Sequence, residues 1–353
     1  MLAVIGLDIA KRFFQLHSVD PETGEITKLK LKRAEMFPFF ANRQRSVVAI
    51  EACGSSHHWA RQLRSLGHEV RLIATKFVKP FVKGNKNDAA DARAIWEAAQ
   101  RPEMRFVPVK TEAQQAILAL HTMRDGLVKA RTAQLHQLRA AFYELGIDLP
   151  EGRHWCVKRL PEAFAGLENK IPAMVIDAFH DQYQLIVRLS ERVEAIERKL
   201  DAFRRSDERC ERLIDVPGVG LLTATSIVAA VGDAKEFRSG REFAAWLGVV
   251  PRHSGTGGHV RILNISKQGN SYLRTMVIHC ARAVMARQKE HSPWLQRLMR
   301  ERPMECCCRS AGQQARAHDL GIARTWQTLR AGTAASGSMT LWLWTMVRRR
   351  EMV

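Results

Sequence analysis

Acidic residues are scarce in this chain: its 353 residues hold 36 Asp and Glu against 55 Lys and Arg, a formal net charge of +19. A surplus of that size points to a polyanionic partner, because each Lys or Arg that neutralises a phosphate releases condensed counterions. Also missing is any run near the roughly 18 apolar residues that a membrane helix needs, so no membrane association is expected. The start, Met1 to Asp8, is apolar but has no basic leader and reaches a carboxylate at once, which does not fit a secretory signal. The seven cysteines show no Cys-x-x-Cys spacing. They therefore offer neither a zinc site nor a disulfide framework, and a reducing cytoplasm fits. Cys53, Cys156, Cys210 and Cys280 read as small core residues. Apolar residues make up 46%, ample for globular folding. The length suggests two domains with connecting structure.

Residues 1–110 read as α/β. Leu2 to Ile9 is a continuous apolar strand, Phe13 to Val19 a second, and Ile26 to Leu31 a third after the turn at Pro21 to Gly24. A helix is expected over Ala34 to Arg43. Val47 to Ile50 is a buried-type strand ending on Glu51, Ser55 to Leu66 a helix stopped by Gly67, and Val70 to Ala74 a fifth strand. A basic stretch then leads to a helix around Asn87 to Ala99. Residues 111–206 read as a long-helix connector. One apolar helix covers 112–145, and a second spans about 176–205, where Ile186, Val193 and Leu200 alternate with Leu189, Ile196 and Phe203 at heptad spacing. That seam suits a coiled coil and equally suits a helix packed on its own domain. Residues 207–304 read as a mostly helical unit with Gly-rich turns near 217–220 and 254–258.

Asp8 closes the first strand and Glu51 the fourth, while Asp88 and Asp91 are three apart and so share one helix face. Taken singly, each has a bland reading as a strand-end turn residue, a helix cap or a solvated acid. As a set converging from separate elements they would repel one another without a cation. Hard divalent ions take oxygen ligands, so Mg2+ or Mn2+ is the expected cofactor, stabilising the attacking and leaving oxygens of a phosphoryl displacement. Lys11, Lys76, Lys79, Lys83 and Lys86 surround these acids as candidate phosphate contacts. His57 and His58 are better read as satisfied surface or core histidines than as ligands.

In the second half, Ile214-Asp215-Val216-Pro217-Gly218-Val219-Gly220 between apolar helices reads as a helix-hairpin-helix. Its amides, near Gly218 and Gly220, would hold a phosphate without reading sequence. The alternative is a plain helical turn. Further on stand Trp246 to Gly258, including Arg252-His253-Ser254-Gly255-Thr256-Gly257-Gly258, and then Ile265-Ser266-Lys267-Gln268-Gly269-Asn270 and Tyr272-Leu273-Arg274. Arg252, Lys267 and Arg274 are candidate nucleic-acid contacts, and Ser266 reads as a helix N-cap.

The segments around Asp8, Glu51 and Asp88-Ala89-Ala90-Asp91, in this order and spacing, resemble the DEDD (RuvC-like) transposases of the one-hundred-and-ten family of bacterial insertion sequences. The resemblance extends over about residues 1–304. It implies an RNase H-like N-terminal domain, a long helical or coiled-coil connector and a mostly α C-terminal transposase domain. It also implies metal-dependent cleavage and rejoining of DNA in the bacterial cytoplasm at the nucleoid, guided by a noncoding bridge-type RNA and carried out by a dimer or tetramer. A serine is implied as nucleophile, forming a covalent ester with DNA. Ser254 matches that position and Thr256 is the alternative, because the loop reads Ser-Gly-Thr; the bland reading of Ser254 is a turn residue. Two rival functions remain: a non-catalytic nucleic-acid-binding protein, for which four collected acids would have no purpose, and a simple RuvC-like junction nuclease, which would not need the second half.

From Glu305 the character changes. Cys306-Cys307-Cys308 appears, helical periodicity is lost, and Trp326, Trp342 and Trp344 sit among small and basic residues. Shifting the reading frame by one base after the codon of Met304 permits an apolar run, then Asn-Lys, Met-Ile-Trp-Ala and Gly-Lys, which resembles the helical end of this family. Residues 305–353 are therefore expected to be an out-of-frame, poorly packing tail, and this copy to be inactive or weakly active.

Overall fold

Apolar strands organise the first unit, residues 1–112 of a chain that divides into two compact units. The computed structural model describes residues 2–82, 88–167, 170–257, 259–287, 296 and 300; the expected out-of-frame tail, Lys83 and Lys86 lie outside the described residues. Strand β1 (Val4–Ile9) lies between β2 (Phe13–Val19), antiparallel, and β4 (Val47–Glu51), parallel. β3 (Ile26–Lys32) and β5 (Glu69–Ile73) extend the sheet on either side, and a two-residue β6 (Phe106–Val107) adds an antiparallel edge, giving the order β3-β2-β1-β4-β5-β6. That last strand, too short for an alternation signal, has no counterpart in the sequence reading. The helix expected over Ala34 to Arg43 is a single 3-10 turn, Arg33–Glu35, followed by the short α1 (Met36–Ala41).

The strands bury both faces. Ile5, Leu7, Phe14, Leu16, Val48 and Ile50 share one core with Phe40 of α1 and with Trp59, Ala60 and Leu63 of α2 (Ser56–Ser65). On the other face Ala49 and Ile73 pack with Val78 of α3 (Thr75–Val78) and with Ala94, Ile95 and Ala98 of α4 (Asp88–Ala99). Burial on both faces is why β1, β4 and β5 read as nearly continuous apolar runs.

The second unit begins at Ala113. Helices α5 (Glu112–Glu144) and α7 (Ala173–Ser206) run antiparallel, joined through α6 (Arg153–Ala165). Arg124 meets Glu197 at 2.6 Å near one end, and Gln182 donates to the Gln134 carbonyl at 3.2 Å near the other. The heptad seam of α7 is spent within the chain. Ile186 packs with Leu135, Leu138 and Phe142 of α5, and Ile196 and Leu200 pack with Ile117 of α5 and Ala229. Because Ala229 belongs to α9 (Leu221–Val231), the long helices share a core with the helices that follow. Those are α8 (Glu208–Ile214), α9, α10 (Gly240–Leu247) and α11 (Ser271–Arg287). Between α10 and α11 the chain forms a two-stranded ribbon, β7 (Pro251–Thr256) and β8 (His259–Ile265), where a Gly-rich loop was expected. No helix among the described residues is long and apolar enough to cross a membrane.

Candidate active site

The register of β1 and β4 brings two of the acids together. Leu7 lies opposite Ile50 in the parallel pair, so one step further Asp8 faces the position of Glu51, both on the sheet face that carries Gly6 and Ala49. Helix α4 crosses that same face with Asp88 and Asp91 in its first turn. Its close approach depends on Gly6. A Cβ there would collide with the Ala92 carbonyl oxygen and lie 2.6 Å from the Trp96 backbone nitrogen, so only glycine lets the helix backbone rest directly on β1.

The outcome is a cluster in which one carboxylate oxygen from each of Asp8, Asp88 and Asp91 lies within 4.8 Å of the others. Asp8 and Asp91 are half-buried and Asp88 is exposed. Glu51 stands outside that group of three but close enough to act on Asp8. Burial first, then the charges of Asp88, Asp91 and Glu51, push the Asp8 carboxyl up from its ordinary 3.8 to about 6, against a backbone hydrogen bond at Ile9 that lowers it. Three hard oxygen donors converging where one of them resists ionisation fit a divalent cation, whose charge would relieve the repulsion.

Around this cluster Lys11, Lys76 and Lys79 are exposed. Cys53 is exposed as well, not a core residue as the sequence suggested; it follows the end of β4, and burial together with Glu51 and Asp8 raises its thiol. His57 proves satisfied: its Nδ1 accepts from the Lys110 amide at 3.2 Å, and burial lowers it to about 4. Sequence reasoning overlooked the part Gly6 plays, although an isolated glycine inside an apolar strand signals a close backbone approach. It also passed over Gln15, the antiparallel partner of Asp8 on β2.

In the second unit, Ser254 lies on β7 in register with Arg261, and Thr256 in register with His259. Both hydroxyls are exposed and, two residues apart, share one ribbon face. Ser266 is not a helix N-cap. Its Oγ is buried with no hydrogen-bond partner, while the Asn270 Oδ1 accepts from the amides of Tyr272 and Leu273 at the start of α11. Arg252 and Lys267 are exposed. Arg274 is not offered outward: its Nη1 donates to the carbonyls of Leu247 and Gly269, building it into the loop. Between α8 and α9, Gly218 has φ +83°, and a Cβ there would lie 2.5 Å from the Cys280 carbonyl oxygen and 2.6 Å from Val284 Cγ2. This glycine therefore serves the packing of α11. Gly220, the N-cap of α9, is exposed with open space beside it.

Comparison with known proteins gives this arrangement a family. A DEDD transposase model matches residues 5–147, and the model described as "Transposase IS116/IS110/IS902 family" matches residues 210–297. The chain is 46% identical over 307 residues to a Pseudomonas aeruginosa protein named "Probable family 20 transposase", covering 86% of this chain and 91% of the relative. It is 38% identical to the transposase for insertion sequence element IS1328 of Yersinia enterocolitica, over 82% of this chain and 86% of the relative. It is also 38% identical to the transposase for insertion sequence element IS1111A of Coxiella burnetii, over 87% and 85%. The first family model supports an RNase H-like α/β reading of the first unit and carries the use of a divalent metal with it. With identity sustained over most of both partners and the two models in order along the chain, the protein belongs to the IS116/IS110/IS902 family of transposases.

Proposed function

We propose that Asp8, Glu51, Asp88 and Asp91 hold Mg2+ or Mn2+ for DNA strand cleavage and rejoining, with Ser254 as the nucleophile that becomes esterified to the strand. The observation that carries this reading is the convergence of the Asp8, Asp88 and Asp91 oxygens within 4.8 Å, in a protein whose charge is otherwise strongly positive. A bound cation supplies charge that stabilises the oxygens of the phosphate undergoing displacement. The chain's own part in the first unit is to fix the carboxylates: β1 and β4 set two of them, and Gly6 sets the height of α4 above Asp8. Exposed Lys11, Lys76, Lys79, Arg252 and Lys267, with Lys83 and Lys86, hold the DNA backbone, and the helix-hairpin-helix turn at Gly218 and exposed Gly220, leading into α9, adds a neutral phosphate contact. Guidance by a noncoding RNA and assembly into a dimer or tetramer belong to the same reading, although the α7 seam is occupied by α5 of the same chain and assembly must use other surfaces.

The test separates binding from chemistry. Asp8→Asn keeps DNA binding, with its steep loss as salt rises, and loses strand cleavage. Normal recombination by Asp8→Asn, with the gene's frame repaired after the Met304 codon, would remove the carboxylates from the mechanism. A binder without chemistry, the rival reading, predicts no effect of this substitution on any DNA product.

A further inference from the structure

The ribbon β7–β8 projects two hydrogen-bonded strands whose described residues are almost all exposed, including Ile262 at 68%. No Asp or Glu occurs between Glu242 and Glu290, whereas that stretch holds seven Lys and Arg residues. A solvated ribbon with no carboxylate to answer its cations is built to meet a polyanion. Within it one pairing stands out by chemistry: Ser254 and Arg261 are direct cross-strand partners. Directly opposed residues of an antiparallel pair project from the same face, with Cβ atoms about 4.5–5.5 Å apart. Among the described residues Arg261 has no ion-pair or hydrogen-bond partner. Of the other cations near this loop, Arg274 is already committed to the Leu247 and Gly269 carbonyls, and Arg252 and Lys267 are not cross-strand partners of Ser254.

We infer that Arg261 is the phosphate-orienting residue for Ser254, an inference that rests on the serine reading above. The guanidinium fork takes the non-bridging oxygens of the phosphodiester that Ser254 attacks. In that step the Ser254 Oγ–P bond forms and the P–O bond to one flanking sugar breaks. The serine proton ends on the released sugar oxygen, so the exchange of one ester for another balances with no redox partner. Negative charge rises on the non-bridging oxygens in the transition state, and a cation opposite the nucleophile stabilises it most there. Thr256 has a histidine, His259, and not an arginine as its cross-strand partner.

The experiment uses the full-length protein, expressed from the gene with its frame corrected after the Met304 codon, in an extract of cells carrying the element, on a plasmid bearing the element with its native flanking DNA. Covalent protein–DNA adducts are trapped by denaturation and mapped by mass spectrometry, and DNA affinity is measured in parallel across salt. Arg261→Ala is expected to slow adduct formation at Ser254 by about 100-fold or more. DNA binding should lose only one phosphate contact, a salt slope lower by about one. Arg261→Lys, which keeps the charge and the exposed position but loses the fork, should fall between the two. A normal adduct rate in Arg261→Ala overturns the inference, as does a slow rate restored by raising the protein concentration, which would mark Arg261 as a backbone contact only. An adduct at Thr256 overturns the pairing as well. If Ser254→Ala still cleaves normally, or the frame-corrected protein recombines its element without forming an adduct, the serine reading itself has failed, and that outcome is distinguishable from failure of the arginine alone.

Discussion

Replacing Asp8 with Asn should stabilise the metal-free protein. The substitution keeps the shape of the side chain and removes a carboxylate that burial and three neighbouring acids make reluctant to ionise. Its folded value of about 6 stands above the ordinary 3.8. At about 1.4 kcal/mol per unit, that difference corresponds to at most about 3 kcal/mol. Asp8 is only half-buried, and solvent screening reduces the figure to about 1–2 kcal/mol. The sign follows from proton linkage. An acid whose folded pKa is raised costs nothing while it is protonated in both states, below 3.8. The cost grows as pH climbs from 3.8 to about 6 and is complete above 6. Urea unfolding in EDTA at pH 7.5, a value chosen on the order of neutrality and above the folded pKa, should therefore show Asp8→Asn to be more stable, with the advantage vanishing towards pH 4. Added Mn2+ should reverse the order, because ligand binding to the folded state stabilises it by RT ln(1 + [L]/Kd), about 2.7 kcal/mol at a hundred times Kd. An Asp8→Asn protein less stable than the parent in EDTA at neutral pH would refute the electrostatic account of the cluster. Equal stabilisation of both proteins by Mn2+ would refute the metal site.

Gly6→Ala should lower stability by about 1–3 kcal/mol through overpacking and abolish the Mn2+ response, since the methyl pushes α4 and its two aspartates away from Asp8; calorimetry with and without Mn2+ reads both effects. His121 is buried, with its ring nitrogens 3.0 Å from the Tyr272 hydroxyl and the Thr225 Oγ1, and burial then Arg124 lower it from 6.5 to about 4. A histidine kept neutral in the folded state costs stability as pH falls from 6.5 towards 4, so the acid side of the unfolding profile should lose about 2–3 kcal/mol over that window, and His121→Phe should flatten the slope. Sequencing the gene should show that the frame shifted by one base after the Met304 codon encodes an apolar helix, and a gene corrected there should yield a protein that melts higher in a thermal scan; codons that give no such helix would end the frameshift account.

The sheet was legible in the sequence because its central strands are buried on both faces and bounded by turns. Leu2 to Ile9 and Val47 to Ile50 are runs that few other structures accommodate, and they end on the acids they position. Oxygens of Asp8, Asp88 and Asp91 lie within 4.8 Å of one another, and Glu51, outside that group, still acts on Asp8. The ribbon was not legible for the opposite reason. Arg252 to Thr256 alternates nothing apolar with polar, since both faces are exposed, and its glycines mimic a loop. The seam of α7 was legible as a pattern and ambiguous as a contact, because heptad spacing does not say whether the partner helix is another chain or, as here, α5. Arg274 and Gly218 show the same limit: a basic side chain or a glycine in a turn announces neither the carbonyls it meets nor the helix packed on it.

Glycine has the same physical role in both units. At Gly6 the backbone of β1 meets the backbone of α4, and at Gly269 an added Cβ would collide with the Trp246 carbonyl oxygen and come within 2.6 Å of that of Leu247. Where a side chain separates two elements, rotamer changes let their spacing drift by fractions of an ångström at modest cost. Where main chain rests on main chain there is nothing to rotate, and the spacing is set by the van der Waals surfaces of the peptides alone. A metal site needs its donors fixed to that tolerance, and so does a nucleophile beside the cation that serves it. Gly6 sits two residues before Asp8 on the same strand face, and Gly269 closes the loop that follows the Ser254 ribbon against the helix that precedes it. The contact at Gly6 thus lies two residues from Asp8, and substitution there should disturb the carboxylate cluster more than the added volume alone would suggest.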